Sequence, residues 1–289
     1  MKVLVIGSTG LLGQAVSAEV RSRGWPLETA ARSGADRTLD IAQSGALDDC
    51  LEEVRPDLVF NCAALTDFIQ CEQDPGLAYR INARPLALIA AWSQRTGKRV
   101  VHVSTDHYFV TGGARPHDED DRVELVNEYA RSKYAAEAFA LTAPRSLVFR
   151  TSIVGIRGWE RATLAEWAIR SVLDNAPVGL FTDAYTSSID VGGFARAAID
   201  IALGPAAGLF NLAASAVYSK AQFVQEIAAQ MGRRLDKATL VPLTADRPRR
   251  VGSLGLDVRR AQALLHYPLP GLPAVVKAVL DEHRRRNGG

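Results

Sequence analysis

Few folds accommodate a short apolar run, residues 2–6, that passes directly into Gly7, Gly10 and Gly13 at the head of an amphipathic stretch, residues 11–23. Glycines at a strand-to-helix junction permit a tight turn and let a ligand approach the backbone closely. The N–H groups and the positive dipole end of the following helix then face an anion. The spacing Gly-x-x-Gly-x-x-Gly in this position reads as a pyrophosphate loop, with Thr9, Leu11 and Leu12 between the glycines; a plain tight turn is the competing reading.

The rest of the first half repeats the alternation. Candidate strands at 26–30, 57–62, 99–104 and 146–150 are separated by helical stretches at 45–54, 75–96 and 127–142. The strands read as continuous apolar runs, as expected where helices cover both faces of a parallel sheet. From Thr151 the loops lengthen, and helices at 164–173, 192–203 and 220–231 alternate with short strands such as 208–213. The expected fold is α/β, a doubly wound parallel sheet of the Rossmann kind with a smaller C-terminal α/β substrate lobe. Residues 1–150 form the expected dinucleotide-binding core. Residues 151–289 form mainly the substrate-binding lobe, with 208–213 a segment that can return to the main sheet.

A chain of 289 residues, 47% apolar, has material for one large core or two coupled ones. A net charge of +2 argues against nucleic acid as a partner. The opening residues are too short for a membrane span and lack a signal-peptide cleavage pattern. Cys50, Cys62 and Cys71 are odd in number and lack metal spacing, so they read as small packed hydrophobes in a reducing, cytoplasmic setting. No metal site is expected.

Beyond the second strand stands Arg32, where an arginine favours a ribose 2′-phosphate and thus NADP(H), with NAD(H) as the alternative. A surface arginine is the competing reading. Asp40 and Ile41 either border the adenine ring, or Asp40 caps the next helix. Tyr129 and Lys133 lie four apart on a helical stretch, so both emerge from one face. An ammonium beside a phenol favours phenolate, which makes the tyrosine a competent proton donor and acceptor. A strand-end hydroxyl should complete the set: Thr105 is the first choice to bind the substrate carbonyl oxygen, Ser104 the second.

Glycine loop, Ser104-Thr105-Asp106 and Tyr129-x-x-x-Lys133 in this order resemble the extended short-chain dehydrogenases, specifically the dTDP-4-dehydrorhamnose reductase family. The likeness extends over nearly the whole chain. It includes Asn61-Cys62-Ala63-Ala64, the run from Ala78 to Ala83, Tyr129-Ala130-Arg131-Ser132-Lys133 with Glu137, and Arg150-Thr151-Ser152. Arg247-Pro248, Ser253 and Leu256-Asp257 echo it later. The resemblance implies hydride delivery to the C4 ketone of a nucleotide-linked deoxysugar, with Thr105, Tyr129 and Lys133 catalytic. It implies Gly7, Gly10, Gly13, Cys62, Ala63, Ala64 and Ser104 along the cofactor, and Thr66, His107, Ser152 and Ile153 near the substrate. His107 and Tyr108 depart from the family's Tyr-Val, Ile69 from its aspartate and Ile153 from its tryptophan, and residues 182–188 lack its proline. His107 reads as an acid, a sugar contact or a packed loop residue. Expected partners are a nucleotide sugar and, in a homodimer, a second copy. The alternatives are an epimerase or dehydratase that retains NAD, against which Arg32 argues, and a cofactor-holding regulatory subunit like the related methionine adenosyltransferase beta subunits.

Overall fold

The computed structural model describes residues 1–159, 161–243 and 252–287. The first part runs β1 (Val3–Ile6), α1 (Leu11–Ser22), β2 (Leu27–Ala31), β3 (Arg37–Thr38), α2 (Ala46–Val54), β4 (Leu58–Asn61), α3 (Phe68–Gln73), α4 (Pro75–Asn82), α5 (Arg84–Thr96), β5 (Arg99–Val103), α6 (Glu128–Ala140) and β6 (Ser146–Arg150). It continues with β7 (Ile153–Val154), α7 (Leu164–Leu173), β8 (Gly179–Phe181), β9 (Tyr185–Thr186), β10 (Ile189–Asp190), α8 (Val191–Leu203), β11 (Gly208–Asn211), β12 (Tyr218–Ser219), α9 (Lys220–Gln230), β13 (Thr239–Val241), β14 (Ser253–Leu254), α10 (Arg259–Gln262) and α11 (Leu272–Asn287).

Two compact units emerge. The first comprises Met1–Thr105, Leu125–Arg150 and Ala195–Phe210; the second comprises Asp106–Glu124, Thr151–Phe194 and Asn211–Gly289. The main sheet has the strand order β11-β6-β5-β4-β1-β2-β3. The pairs β1–β2, β1–β4, β2–β3, β4–β5 and β5–β6 are parallel. The order reverses beside β1, so the crevice for a ligand opens where β1 and β4 end. Strands β1, β4 and β6 are buried throughout, which explains their lack of polar alternation. Leu4, Ile6, Leu47, Leu51, Leu86, Ile89 and Val148 belong to the core of this unit. The expected doubly wound sheet is borne out, and the segment at 208–213 does return to it as β11.

The second unit has its own core, in which α7, α9 and α11 contribute Ile169, Val172, Phe223, Ile227, Val276 and Val279. Small sheets β12-β9-β14, β10-β7 and β13-β8 surround it. Helices α7 and α9 each start on a full capping box, Thr163 with Glu166 and Ser219 with Gln222, so these starts follow from local sequence. No described helix is long and apolar enough to cross a membrane.

Three details differ from expectation. The helix expected at 75–96 is two, α4 and α5, because Pro85 has no N–H for the Ile81 carbonyl and its ring crowds that carbonyl, so the helix breaks at Ala83 and restarts with Pro85 in the first turn of α5. The strand β3 and the helix α3 are additional; each is too short to carry a periodic signal. Gly45 is the N-cap residue of α2, so Asp40 does not cap that helix; its Oδ1 instead accepts the Ala42 N–H at 2.9 Å and closes a turn.

Candidate active site

The glycine loop is shaped by steric demand. Gly7 has φ 77°, and a Cβ there would stand 2.7 Å from the Ala63 nitrogen. A Cβ at Gly13 would stand 2.1 Å from the Gly7 oxygen. These two glycines are therefore fixed by close backbone approach. Gly10 is the N-cap residue of α1, which has no side-chain cap and no acidic residue in its first turn. The first N–H groups of α1 thus remain available to an anion, as a bound pyrophosphate requires. Thr9 and Leu11 are partly exposed beside them, whereas the Leu12 side chain is buried and leaves only its backbone for a ligand.

Arg32 is exposed immediately after β2 and forms no hydrogen bond or ion pair among the described residues. Gly34, at φ 69°, directs its missing Cβ toward Thr9 Cγ2 at 3.6 Å, so the Arg32 loop lies against the glycine loop. Ile41 is buried behind the Asp40 turn. These residues fit a dinucleotide: an open helix start for the pyrophosphate and an unpaired guanidinium at the end of β2 for a ribose phosphate.

Beyond β4, Cys62 donates its N–H to the Ile6 carbonyl at 2.9 Å, and Ala63 and Ala64 follow, half-buried. All three cysteines are free, Cys50 and Cys71 being buried. Thr66 is exposed in the same loop. The buried Asn82 holds that loop: its Oδ1 accepts the Leu65 N–H at 2.7 Å, and its Nδ2 donates to the Leu65 carbonyl at 3.1 Å and to Ser132 Oγ at 2.9 Å.

Helix α6 starts on Asn127, whose side chain accepts the Ala130 N–H at 2.7 Å. Within the first turn, Tyr129 is buried and meets Phe68 edge-on, ring centres 4.9 Å apart. Lys133 is 2% exposed, and its Nζ donates to the Val103 carbonyl at 2.7 Å. The ammonium site therefore lies against the end of β5, two residues before the buried Thr105. Ser104 donates its N–H to the Phe149 carbonyl at 2.7 Å, which fixes the strand end. Burial lowers the Lys133 pKa to about 8, against the pull of Glu137 and Cys62 toward the charged form. Glu137 is itself held by Arg150, with Nη2 to Oε2 at 2.9 Å, both side chains nearly inaccessible.

Neighbours that sequence reasoning passed over complete this set. The buried His102 puts Nε2 3.3 Å from Lys133 Nζ and Nδ1 3.3 Å from Asn61 Nδ2. Asn61 had stood only as part of a motif, and His102 inside a strand run.

In the second unit, Asp106 is buried, which raises its pKa, while His107 and a hydrogen bond with Ser152 act against that rise. His107 Nε2 is 3.8 Å from Asp106 Oδ1, and Tyr108 is fully buried. Ser152 belongs to a hydroxyl cluster, 2.8 Å from Ser188 Oγ, which is 2.8 Å from Thr186 Oγ1. Ile153 pairs with Ile189 in the short parallel sheet of β7 and β10. Ile69 is 70% exposed on α3. Ser253 Oγ lies 3.0 Å from the buried His117 Nε2; Arg247 and Pro248 fall outside the described residues.

Comparison with known proteins places this geometry. The model of the RmlD substrate binding domain family matches residues 1–285. The chain is 28% identical over 287 residues to a probable low-salt glycan biosynthesis reductase of Haloferax volcanii, with 94% of this chain and 95% of that protein covered. It is also 28% identical over 295 residues to the dTDP-4-dehydrorhamnose reductase of Escherichia coli, with 98% of each covered. The solved dTDP-4-dehydrorhamnose reductase structure from Clostridium acetobutylicum shares the fold, with TM-score 0.85 at 23% identity over 98% of this chain and 100% of that one. By the match of its family model over nearly every residue, the chain belongs to the RmlD substrate binding domain family.

Proposed function

We propose that this chain is a cytoplasmic NADPH-dependent reductase that converts the C4 ketone of a nucleotide-linked deoxysugar to an alcohol, working as a homodimer and accepting NADH less well. The observation that carries this reading is Lys133 docked on the Val103 carbonyl, one turn from Tyr129 on α6 and two residues before Thr105, just past the end of β5. The relatives named as a probable glycan biosynthesis reductase and as dTDP-4-dehydrorhamnose reductase support it. In this reading residues 1–150 hold mainly the dinucleotide and 151–289 mainly the sugar nucleotide. Gly7, Thr9, Gly10 and the first turn of α1 face the pyrophosphate, Arg32 the 2′-phosphate, Asp40 and Ile41 the adenosine, and Cys62, Ala63, Ala64 and Ser104 the nicotinamide half. Thr66, His107, Ser152 and Ile153 border the sugar.

Bound NADPH supplies the hydride that reaches the carbonyl carbon. The Thr105 hydroxyl orients the carbonyl oxygen, and Tyr129 gives that oxygen its phenolic proton as negative charge develops there. Lys133, as ammonium, stabilises the phenolate left behind and holds the ribose hydroxyls. Tyr129→Phe is expected to lower ketone-dependent NADPH oxidation by about 10²–10⁴-fold while NADPH affinity stays within a few-fold. Unchanged turnover in that variant, across a panel of nucleotide-linked keto-sugars, would remove Tyr129 as the proton donor.

A further inference from the structure

Strands β4 and β5 pair with Asn61 opposite His102, which places the two side chains together. Asn61 Oδ1 accepts the Ala63 N–H at 3.3 Å, so the amide turns its NH2 group toward the ring. His102 Nδ1 must then carry the lone pair, and the ring proton sits on Nε2. Nε2 faces Lys133 Nζ at 3.3 Å. An N–H aimed at an amine is a hydrogen bond; aimed at an ammonium, it sets two donors face to face. Burial and the neighbouring Lys133 hold the His102 pKa well below its ordinary value, so the ring stays neutral.

Other groups around Lys133 act in the opposite sense. Glu137, one turn along α6, and Cys62, just beyond β4, both favour the ammonium. Arg150 on β6 holds Glu137 and offsets part of its charge. Tyr129 lies one turn earlier on α6, and the Val103 carbonyl accepts from Nζ in either form.

We propose that Asn61 and His102 are positioning residues that ease the deprotonation of Lys133: in mildly alkaline solution they favour its amine form in the free protein, and a dinucleotide at the glycine loop restores the ammonium there. This rests on the cofactor site proposed above. Ribose hydroxyls supply acceptors for the ammonium, and the phosphates add a favourable field. One proton is taken from solvent onto Nζ. The Asn61 amide turns over and gives up the Ala63 N–H, which is freed toward the cofactor, the ring proton moves from Nε2 to Nδ1, and Nε2 becomes an acceptor for Nζ.

Long-range ¹H–¹⁵N spectra of the imidazoles and a titration of the lysine ¹³Cε signals test this on the intact protein. Loss of a signal in His102→Leu and in Lys133→Met identifies the two groups among five histidines and six lysines. Should His102→Leu not fold, Asn61→Asp identifies the ring instead, since a carboxylate there fixes the Nδ1–H form. At pH 9 the expected result is the Nε2–H tautomer in the free protein and Nδ1–H with saturating NADPH, while the Lys133 midpoint, about 8 in the free protein, rises by more than about one pH unit. A ring that is already Nδ1–H in the free protein, or that keeps its tautomer when NADPH shifts the glycine-loop amides, overturns the inference. NADPH that shifts neither the loop amides nor Lys133 counts against the cofactor site itself.

Discussion

At position 10 a Cβ would meet only the Gly7 carbonyl oxygen, at 3.3 Å, where positions 7 and 13 would drive one into backbone. The three glycines therefore serve different ends. Gly13→Ala is expected to cost more than about 2 kcal/mol in denaturant unfolding. Gly10→Ala should stay folded and instead weaken NADPH binding, because its new methyl borders the open first turn of α1; equal stability losses in the two variants would refute this division. At Arg32, removal of an unpaired guanidinium should cost about 1.5–3 kcal/mol of NADPH affinity and leave NADH almost unchanged, as measured by calorimetry. Equal affinities in the parent protein would withdraw the argument for the 2′-phosphate. These residues were legible in the sequence because their place at the ends of β1 and β2 marks them, even though Gly7 is held against Ala63 beyond β4. Asn61 and His102 were not, since only the parallel register of β4 on β5 brings them together.

Helix α6 is set against the sheet by a buried ion pair. Arg150 Nε donates to Glu137 Oε1 at 3.1 Å and Nη2 to Oε2 at 2.9 Å, in the two-pronged geometry that suits a guanidinium. Removing one partner strands the other charge in the interior. Arg150→Met should lower unfolding free energy by about 3–5 kcal/mol, and Arg150→Met with Glu137→Leu should recover much of it. A loss below about 1 kcal/mol in the single variant would show that the pair is dispensable. Neither residue announces the pairing by spacing. The helices that could be read from sequence, α1, α2, α6, α7, α8 and α9, have either a cap or a clear apolar face; α3 and β3 have too few residues for either, and the break between α4 and α5 lies beside a proline that periodicity alone passes over.

For the whole molecule, burial of Lys133 is a standing cost. Its folded pKa of about 8 lies below the ordinary lysine value of about 10.4, so the unfolded chain binds the extra proton between those limits. Stability contributed by this group therefore rises with pH from about 8 to about 10.4, and below pH 8 its penalty is fully present. Lys133→Met should accordingly be more stable than the parent at pH 7, by up to about 2 kcal/mol in unfolding free energy, with the difference shrinking between pH 8 and 10. A difference that does not vary with pH would place the effect in packing instead of charge. The doubly wound order of the main sheet was readable because five apolar runs and the helices between them come in sequence; the division into units was less so, because Leu125–Arg150 and Ala195–Phe210 rejoin the first unit after excursions into the second.

Strand β11 sits beyond β6 in the sheet, yet 57 residues, 151–207, separate the two in the chain. During synthesis, the flank of β6 must wait for that stretch to leave the ribosome, and over this interval its unpaired backbone edge invites association with other nascent chains.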